Sequence, residues 1–176
     1  MAVDDWDASN VEIRSQRLRL KLFTAEDAEE VFAAITPAIT RFMQWESPQS
    51  PTAFAEVWRS WLEPILNGSD LHFVVRALAD NRCLGLVGLH AAKTICPEIG
   101  IWIREDVHGN GTGLEAVAAV AAWASEELNP DCFAYPVAEE NVASRRIAER
   151  LGGLIVETRS NSKYASVVYR IPNLRR

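Results

Sequence analysis

Residues 107–116 read "VHGNGTGLEA", with glycines at 109, 111 and 113 directly before a long apolar stretch. On the N-terminal side, "EIGIWIR" (98–104) alternates as a strand does; on the C-terminal side, Leu114, Val117, Ala121, Ala124 and Leu128 recur at helical spacing. A glycine-rich turn between a strand and a helix start is built to hold an anion. The first helical turn leaves N–H groups without intrahelical partners, and the helix dipole adds partial positive charge there. Glycines permit unusual dihedrals and let a phosphate approach the backbone closely. A dinucleotide turn requires G-x-G-x-x-G; Gly109 and Gly111 fit, but Leu114 holds the third place. A P-loop requires Gly-Lys-Ser/Thr, and no lysine lies in this loop.

Working outward, residues 17–23, "RLRLKLF", read as a half-buried strand with Leu18, Leu20 and Leu22 inward. Thr24 is a good N-cap for a helix over about 25–35, with Asp27 three residues on. Pro37, Pro48 and Pro51 bracket an irregular segment, and a second helix follows over about 52–67, ending at Asn67-Gly68. "LHFVVRAL" and "CLGLVGLH" form a hairpin about Asp80-Asn81. The helix after the glycines carries no charge between Glu115 and Glu126, so it is buried on more than one side, and Asn129-Pro130 stops it. "CFAYPV" (132–137) is a strand, 141–151 a helix capped by Gly152-Gly153, and "LIVET" and "YASVVYRI" are the closing strands. The order is β-α-α-β-β-β-α-β-α-β-β: one α/β domain over residues 11–176, preceded by a leader over 1–10 that is acidic, aperiodic and expected to be mobile.

Composition narrows the function. With 48% apolar and 24% charged residues and a formal net charge of -6, the chain reads as a soluble globular domain and not as a nucleic-acid binder. An acidic balance is compatible with an amine substrate. The longest uncharged apolar run, 116–124, is too short to span a bilayer, and the N-terminus has no signal-peptide core. Cys83, Cys96 and Cys132 show no short spacing and read as reduced thiols of a cytoplasmic protein, not as a disulfide framework or a metal site.

Over residues 11–171 the sequence resembles the GCN5-related N-acetyltransferases (GNAT), in particular the RimJ/RimL type that acetylates ribosomal-protein N-termini. His108-Gly109-Asn110-Gly111-Thr112-Gly113 stands where that family carries Gln/Arg-x-x-Gly-x-Gly/Ala, followed by Glu115-Ala116. Asn141-Val142-Ala143-Ser144 with Leu151-Gly152 matches a second motif, Asn-x-x-Ser followed by Gly seven or eight residues on. "SQRLRLKLF", "LGLVGLH", "PEIGIWI" and the aromatic "FMQWESPQS" match as well. His108, Thr112 and Gly153 depart from the residues usual at their places.

The resemblance implies a single GNAT-like domain with a mixed, splayed β-sheet flanked by helices, and acetyl-CoA as co-substrate with no metal. It implies that backbone N–H groups of His108, Gly109, Asn110, Gly111, Thr112 and Gly113 hold the coenzyme pyrophosphate. The strands at 98–103 and 132–137 part, and Ile101, Trp102 and Ile103 offer their backbone to the pantetheine arm. Asn141 contacts that arm. Ser144 protonates the leaving thiolate, because Ala148 occupies the place where many relatives carry tyrosine. Arg145 either reaches a phosphate or is solvated. Glu98 is the first candidate to deprotonate the acceptor, with His72 and His90 as the others. Trp45, Trp58, Trp61 and Phe42 either wall the acceptor pocket or pack a helix onto the sheet. An acyl-cysteine route through Cys132 lacks a His–Asp partner, and a buried thiol is the other reading. The implied reaction is direct attack of a primary amine on acetyl-CoA. The amine belongs to a peptide or protein N-terminus or to a small molecule; neither nucleic acid nor membrane is a partner, and a homodimer is left open. The alternatives are a non-catalytic CoA-binding module and a transferase of a longer acyl group such as succinyl.

Overall fold

The computed structural model describes residues 6–175. Thirteen elements build the domain: β1 (Glu12–Arg14), β2 (Leu18–Leu22), α1 (Ala28–Ala34), α2 (Pro37–Thr40), α3 (Pro51–Asn67), β3 (Leu71–Ala77), β4 (Cys83–His90), β5 (Glu98–Ile103), α4 (Thr112–Glu127), β6 (Cys132–Ala138), α5 (Val142–Arg150), β7 (Leu154–Ser160) and β8 (Ala165–Pro172). The strands make one eight-stranded sheet in the order β1-β2-β3-β4-β5-β6-β8-β7. Neighbours are antiparallel except β5 and β6, which run parallel.

The alternation in β2 puts Leu18, Leu20 and Leu22 inside, as expected. α4 covers that face. Its Val117, Val120, Ala121 and Ala124 are fully buried, and Trp123 meets Phe73 of β3 edge to face at 5.4 Å. Successive strand residues face opposite ways, so His72 points to the other side, where its ring stacks on Trp61 of α3 at 4.2 Å. Helices therefore cover both faces, with α4 on one and α3 on the other. Each fully buried Leu, Ile, Val or Phe of this core contributes about 1.5–3 kcal/mol by leaving water.

Two short elements were not legible. β1 has three residues, too few for a period. α2 is one turn, capped by the Thr36 hydroxyl on the Ile39 N–H with Pro37 at its start. The leader divides: residues 1–5 lie outside the described residues, whereas Trp6 is docked. Its Nε1 donates to Ile65 O at 3.0 Å, and its ring meets Trp123 at 6.5 Å. An apolar ring in an acidic stretch finds a place between α3 and α4 that composition does not disclose.

The cysteine expectation is corrected. Cys96 and Cys132 form a disulfide with a Cα–Cα distance of 4.9 Å, and only Cys83 is free, and buried. The pair lies 36 residues apart in sequence. What brings it together is the parallel pairing of β5 with β6, which spacing does not reveal. No helix among the described residues is long and apolar enough to cross a membrane.

Candidate active site

The glycine loop links β5 to α4. Gly109 and Gly111 have φ of +79° and +76°, in the left-handed region that side chains disfavour. A Cβ at Gly109 would meet nothing within 4 Å, so dihedral freedom is what that glycine supplies. Gly113 answers a different need: a Cβ there would come within 3.1 Å of Ile147 Cδ1, with Ile101 and Ile103 close behind. The start of α4 is thus pressed between α5 and β5. The first helical bond runs from Glu115 N to Gly111 O at 3.0 Å, which leaves the N–H groups of Thr112, Gly113 and Leu114 without intrahelical partners.

The loop is fastened from behind. The Glu115 carboxylate accepts from Ser15 Oγ at 2.6 Å and from Arg17 N and Nε at 2.7 Å each. Burial works to raise that carboxyl, but these bonds outweigh it and hold it below its ordinary value. Arg17 also bonds the Asn110 carbonyl at 3.0 Å. His108 places Nε2 2.6 Å from Ile103 O.

Beyond the loop the sheet opens. β5 and β6 pair at one position, Glu98 with Ala134, where Ala134 N donates to Pro97 O at 2.9 Å. Then they part. Arg104 N–H points to Leu84 O in β4 at 2.8 Å. By alternation, Ile101 and Ile103 turn their N–H groups toward the gap. Across the gap, Asn141 caps α5, its Oδ1 accepting from Ser144 N at 3.2 Å. Ser144 Oγ and Tyr135 Oη of β6 share a hydrogen bond of 2.7 Å. Arg145 is engaged with Tyr169 Oη at 3.0 Å and the Glu139 carbonyl at 3.2 Å.

On the α3 face lies a cavity of about 340 Å³. Met43, Trp45, Phe54 and Trp61 are among its walls; His72, Gly88, His90, Gly100, Ile101 and Trp102 line it from the sheet. Of the other two aromatics, Trp58 packs on Phe23 at 5.8 Å, and Phe42 lies under the Arg41 guanidinium. Gly88 and Gly100 are register partners, which leaves a bare trough, and the His90 imidazole lies in it. Its Nε2 is 2.6 Å from where a Gly88 Cβ would stand and 3.6 Å from a Gly100 Cβ. His90 Nδ1 bonds Asp70 at 3.0 Å and 3.2 Å, and His72 Nε2 meets the same carboxylate at 3.1 Å. Among the described residues, Asp70, His72 and His90 are the one set of His, Cys, Asp and Glu donors within 4.8 Å of one another, and the bonds to Asp70 account for that closeness.

Comparison with known proteins decides the family. The family model described as Acetyltransferase (GNAT) domain matches residues 17–153. The chain belongs to the GNAT acetyltransferase family. As a GNAT member it is an acyl-CoA-dependent N-acetyltransferase. It is 28% identical over 150 residues to YdaF of Bacillus subtilis (strain 168), provisionally named a ribosomal N-acetyltransferase, covering 80% of this chain and 79% of that one. Among solved structures, the ribosomal-protein-S5-alanine acetyltransferase of Vibrio fischeri superposes with a TM-score of 0.81 at 13% identity, covering 94% and 98% of the two chains. RimL, a ribosomal L7/L12 alpha-N-protein acetyltransferase, does so in complex with coenzyme A with a TM-score of 0.79 at 14% identity, covering 91% and 96%. At those identities the likeness is one of fold. The expected α/β architecture, a mixed splayed sheet between helices, is the GNAT fold.

Set in this GNAT fold, the residues singled out in sequence fall into three places. His108 to Gly113 form the loop, Ile101 to Ile103 the strand edge, and Asn141 and Ser144 the start of α5. Glu98 sits beside His90 in register and does not line the cavity. The space that Gly100 leaves open beside it is taken by the His90 ring. Asp70 and Tyr135 were not singled out. Alternation in β6 marks Tyr135 as inward-facing, but nothing local marks its partner.

Proposed function

We propose that this GNAT protein moves the acetyl group of acetyl-CoA to a primary amine by direct attack, and that the amine is a peptide or protein N-terminus. The observation that carries the reading is the single-position pairing of β5 with β6 beside a glycine loop that opens α4. A pantetheine arm entering that gap would bond the backbone of Ile101 and Ile103 as an added strand, with its pyrophosphate on the amides of His108 to Gly113; Trp102, expected with them, turns its backbone to Leu86 of β4. Asn141 would touch the arm, and Ser144 would protonate the departing thiolate. Arg145 holds Tyr169 and the Glu139 carbonyl through Nε and Nη1, and a phosphate would have Nη2 to bond. Glu98 adds negative charge at the closed end of the gap, suited to a cationic acceptor.

Direct attack is supported by the cysteines. Cys132 is held in the disulfide, and burial pushes the Cys83 thiol up, away from the reactive thiolate. The N-terminal acceptor is supported by the names of the relatives, which are those of the RimJ/RimL type. The mostly apolar cavity is compatible with the first side chains of a peptide. Turnover of acetyl-CoA against a panel of peptides and small amines tests the reading, with succinyl-CoA as a second donor. Thiol release that depends on a peptide with a free N-terminus is expected. Binding of acetyl-CoA without turnover on any amine would instead favour a CoA-binding module, and preference for succinyl-CoA a longer-acyl transferase.

A further inference from the structure

We propose that His90, held by Asp70, is the base that takes the proton from the acceptor amine, which deepens the acetyl-transfer reading and rests on it. The argument begins with nitrogen atoms. Asp70 as a carboxylate only accepts hydrogen bonds, so the imidazole nitrogens facing it carry hydrogen. For His72 that nitrogen is Nε2, and its ring is covered by Trp61. For His90 it is Nδ1. In the neutral imidazole His90 Nε2 therefore keeps the lone pair, and it is the nitrogen that lies in the trough beside the cavity.

The trough is what makes this placement workable. Gly88 and Gly100 face one another across β4 and β5, and any side chain at Gly88 would occupy the space of the imidazole. The same stretch of β5, Gly100 to Trp102, forms the cavity wall and the edge proposed for the pantetheine arm. A reacting amine in the cavity would thus stand between His90 and the thioester. Glu98, in register with His90 on β5, has no place in the cavity wall.

The charged groups facing His90 are Asp70 before β3, His72 on β3 and Glu98 on β5. The bond to Asp70 raises the His90 pKa most, burial opposes it, and Glu98 adds to the rise. Burial, first of all, lowers that of His72. His90 is thus the stronger base of the two. The proton balance closes. An ammonium acceptor gives one proton to His90 Nε2, and the neutral nitrogen forms the C–N bond at the thioester carbon. As the C–S bond breaks, Ser144 protonates the thiolate, and the nitrogen releases its second proton to replace the one Ser144 gave. His90 returns its proton to solvent, so one proton is released per turnover.

The test is the pH profile of kcat/KM with a peptide acceptor, together with calorimetric affinity for acetyl-CoA. His90→Gln should lower kcat by about 10²–10⁴-fold and abolish the acidic limb of the profile. Its acetyl-CoA affinity should stay within about threefold, which also reports folding, because groups used only in the transition state leave binding intact. Asp70→Asn, a change in a positioning residue, should move that limb to lower pH. Gly88→Ala, which keeps the imidazole and displaces it, should lower kcat with the limb retained. A His90→Gln enzyme within about threefold of wild-type kcat and with its acidic limb intact overturns the proposal. So does a limb that disappears only in Glu98→Gln. If His90→Gln does not fold, an unmoved limb in Asp70→Asn with full kcat in Gly88→Ala overturns it as well. Wild-type protein inert toward every amine overturns the acetyl-transfer reading itself, a result distinct from these.

Discussion

Ser144 does not stand alone on α5. Tyr135 Oη lies 2.7 Å from its Oγ, and burial pushes the tyrosine pKa up to about 12, so the phenol stays protonated at any working pH. A neutral donor behind the serine is the arrangement a general acid needs. Ser144→Ala is expected to lower kcat by roughly 10²–10⁴-fold with little change in acetyl-CoA affinity, and Tyr135→Phe to lower it less. Steady-state kinetics with calorimetry checks this; a kcat within about threefold of wild type in Ser144→Ala assigns the proton to water instead. Asp70 offers a second test, on stability. Burial would raise its carboxyl, but the bonds to His72 and His90 outweigh burial and hold it well below the usual carboxylate range. Stability from a depressed carboxyl is full above its unfolded value, about 4, and is lost as pH falls through the folded one. His90 is shifted the other way, so its share is full below about 6.5 and is lost as pH rises through its folded value. Asp70→Asn should therefore lower Tm most between about pH 5 and 6. A Tm difference constant from about pH 3 to about pH 9 contradicts the pairing.

Among the elements, β5 and β6 matter most, and the disulfide lies at their root. Cys96 shortly precedes Glu98, and Cys132 opens β6, so the crosslink fixes where the strands part. Closing a loop of this length is worth about 3–4 kcal/mol in the chain-entropy account. Thiol titration in denaturant without reductant should find one thiol per chain, from Cys83, and reductant should lower Tm. Three titratable thiols in freshly purified, unreduced protein contradict the crosslink. The elements also show what a sequence can carry. The glycines before α4, the alternation in β2 and β5 and the Gly152-Gly153 cap were legible because each expresses a local need. The cap is realised as Gly153 N to Ala148 O at 2.8 Å and Gly152 N to Glu149 O at 3.1 Å. The disulfide, the Asp70–His90 bond and the Tyr135–Ser144 bond were not legible. Each joins separate elements, and only the register of the sheet brings them together. His90 beside Gly100 is the plainest case, since a glycine on β5 leaves space there and a side chain from β4 fills it.

At the scale of the molecule, the sheet divides the work. α4 and its glycine loop serve one face, α3 and the cavity the other, and the gap between β5 and β6 joins them. Ile101 marks the passage: it lines the cavity, and its Cδ1 is 3.7 Å from the Cβ position of Gly113. A thioester in the gap would be open to an amine from the α3 side while its coenzyme rests on α4. The measurement that bears most directly on this account is a crystal structure of the complex with acetyl-CoA. The account predicts the pyrophosphate on the amides of His108 to Gly113, the pantetheine arm bonded to the β5 backbone at Ile101 and Ile103, and the acetyl group at the mouth of the cavity beside His90. Acetyl-CoA bound elsewhere, or bound with β5 and β6 closed along their length, contradicts it.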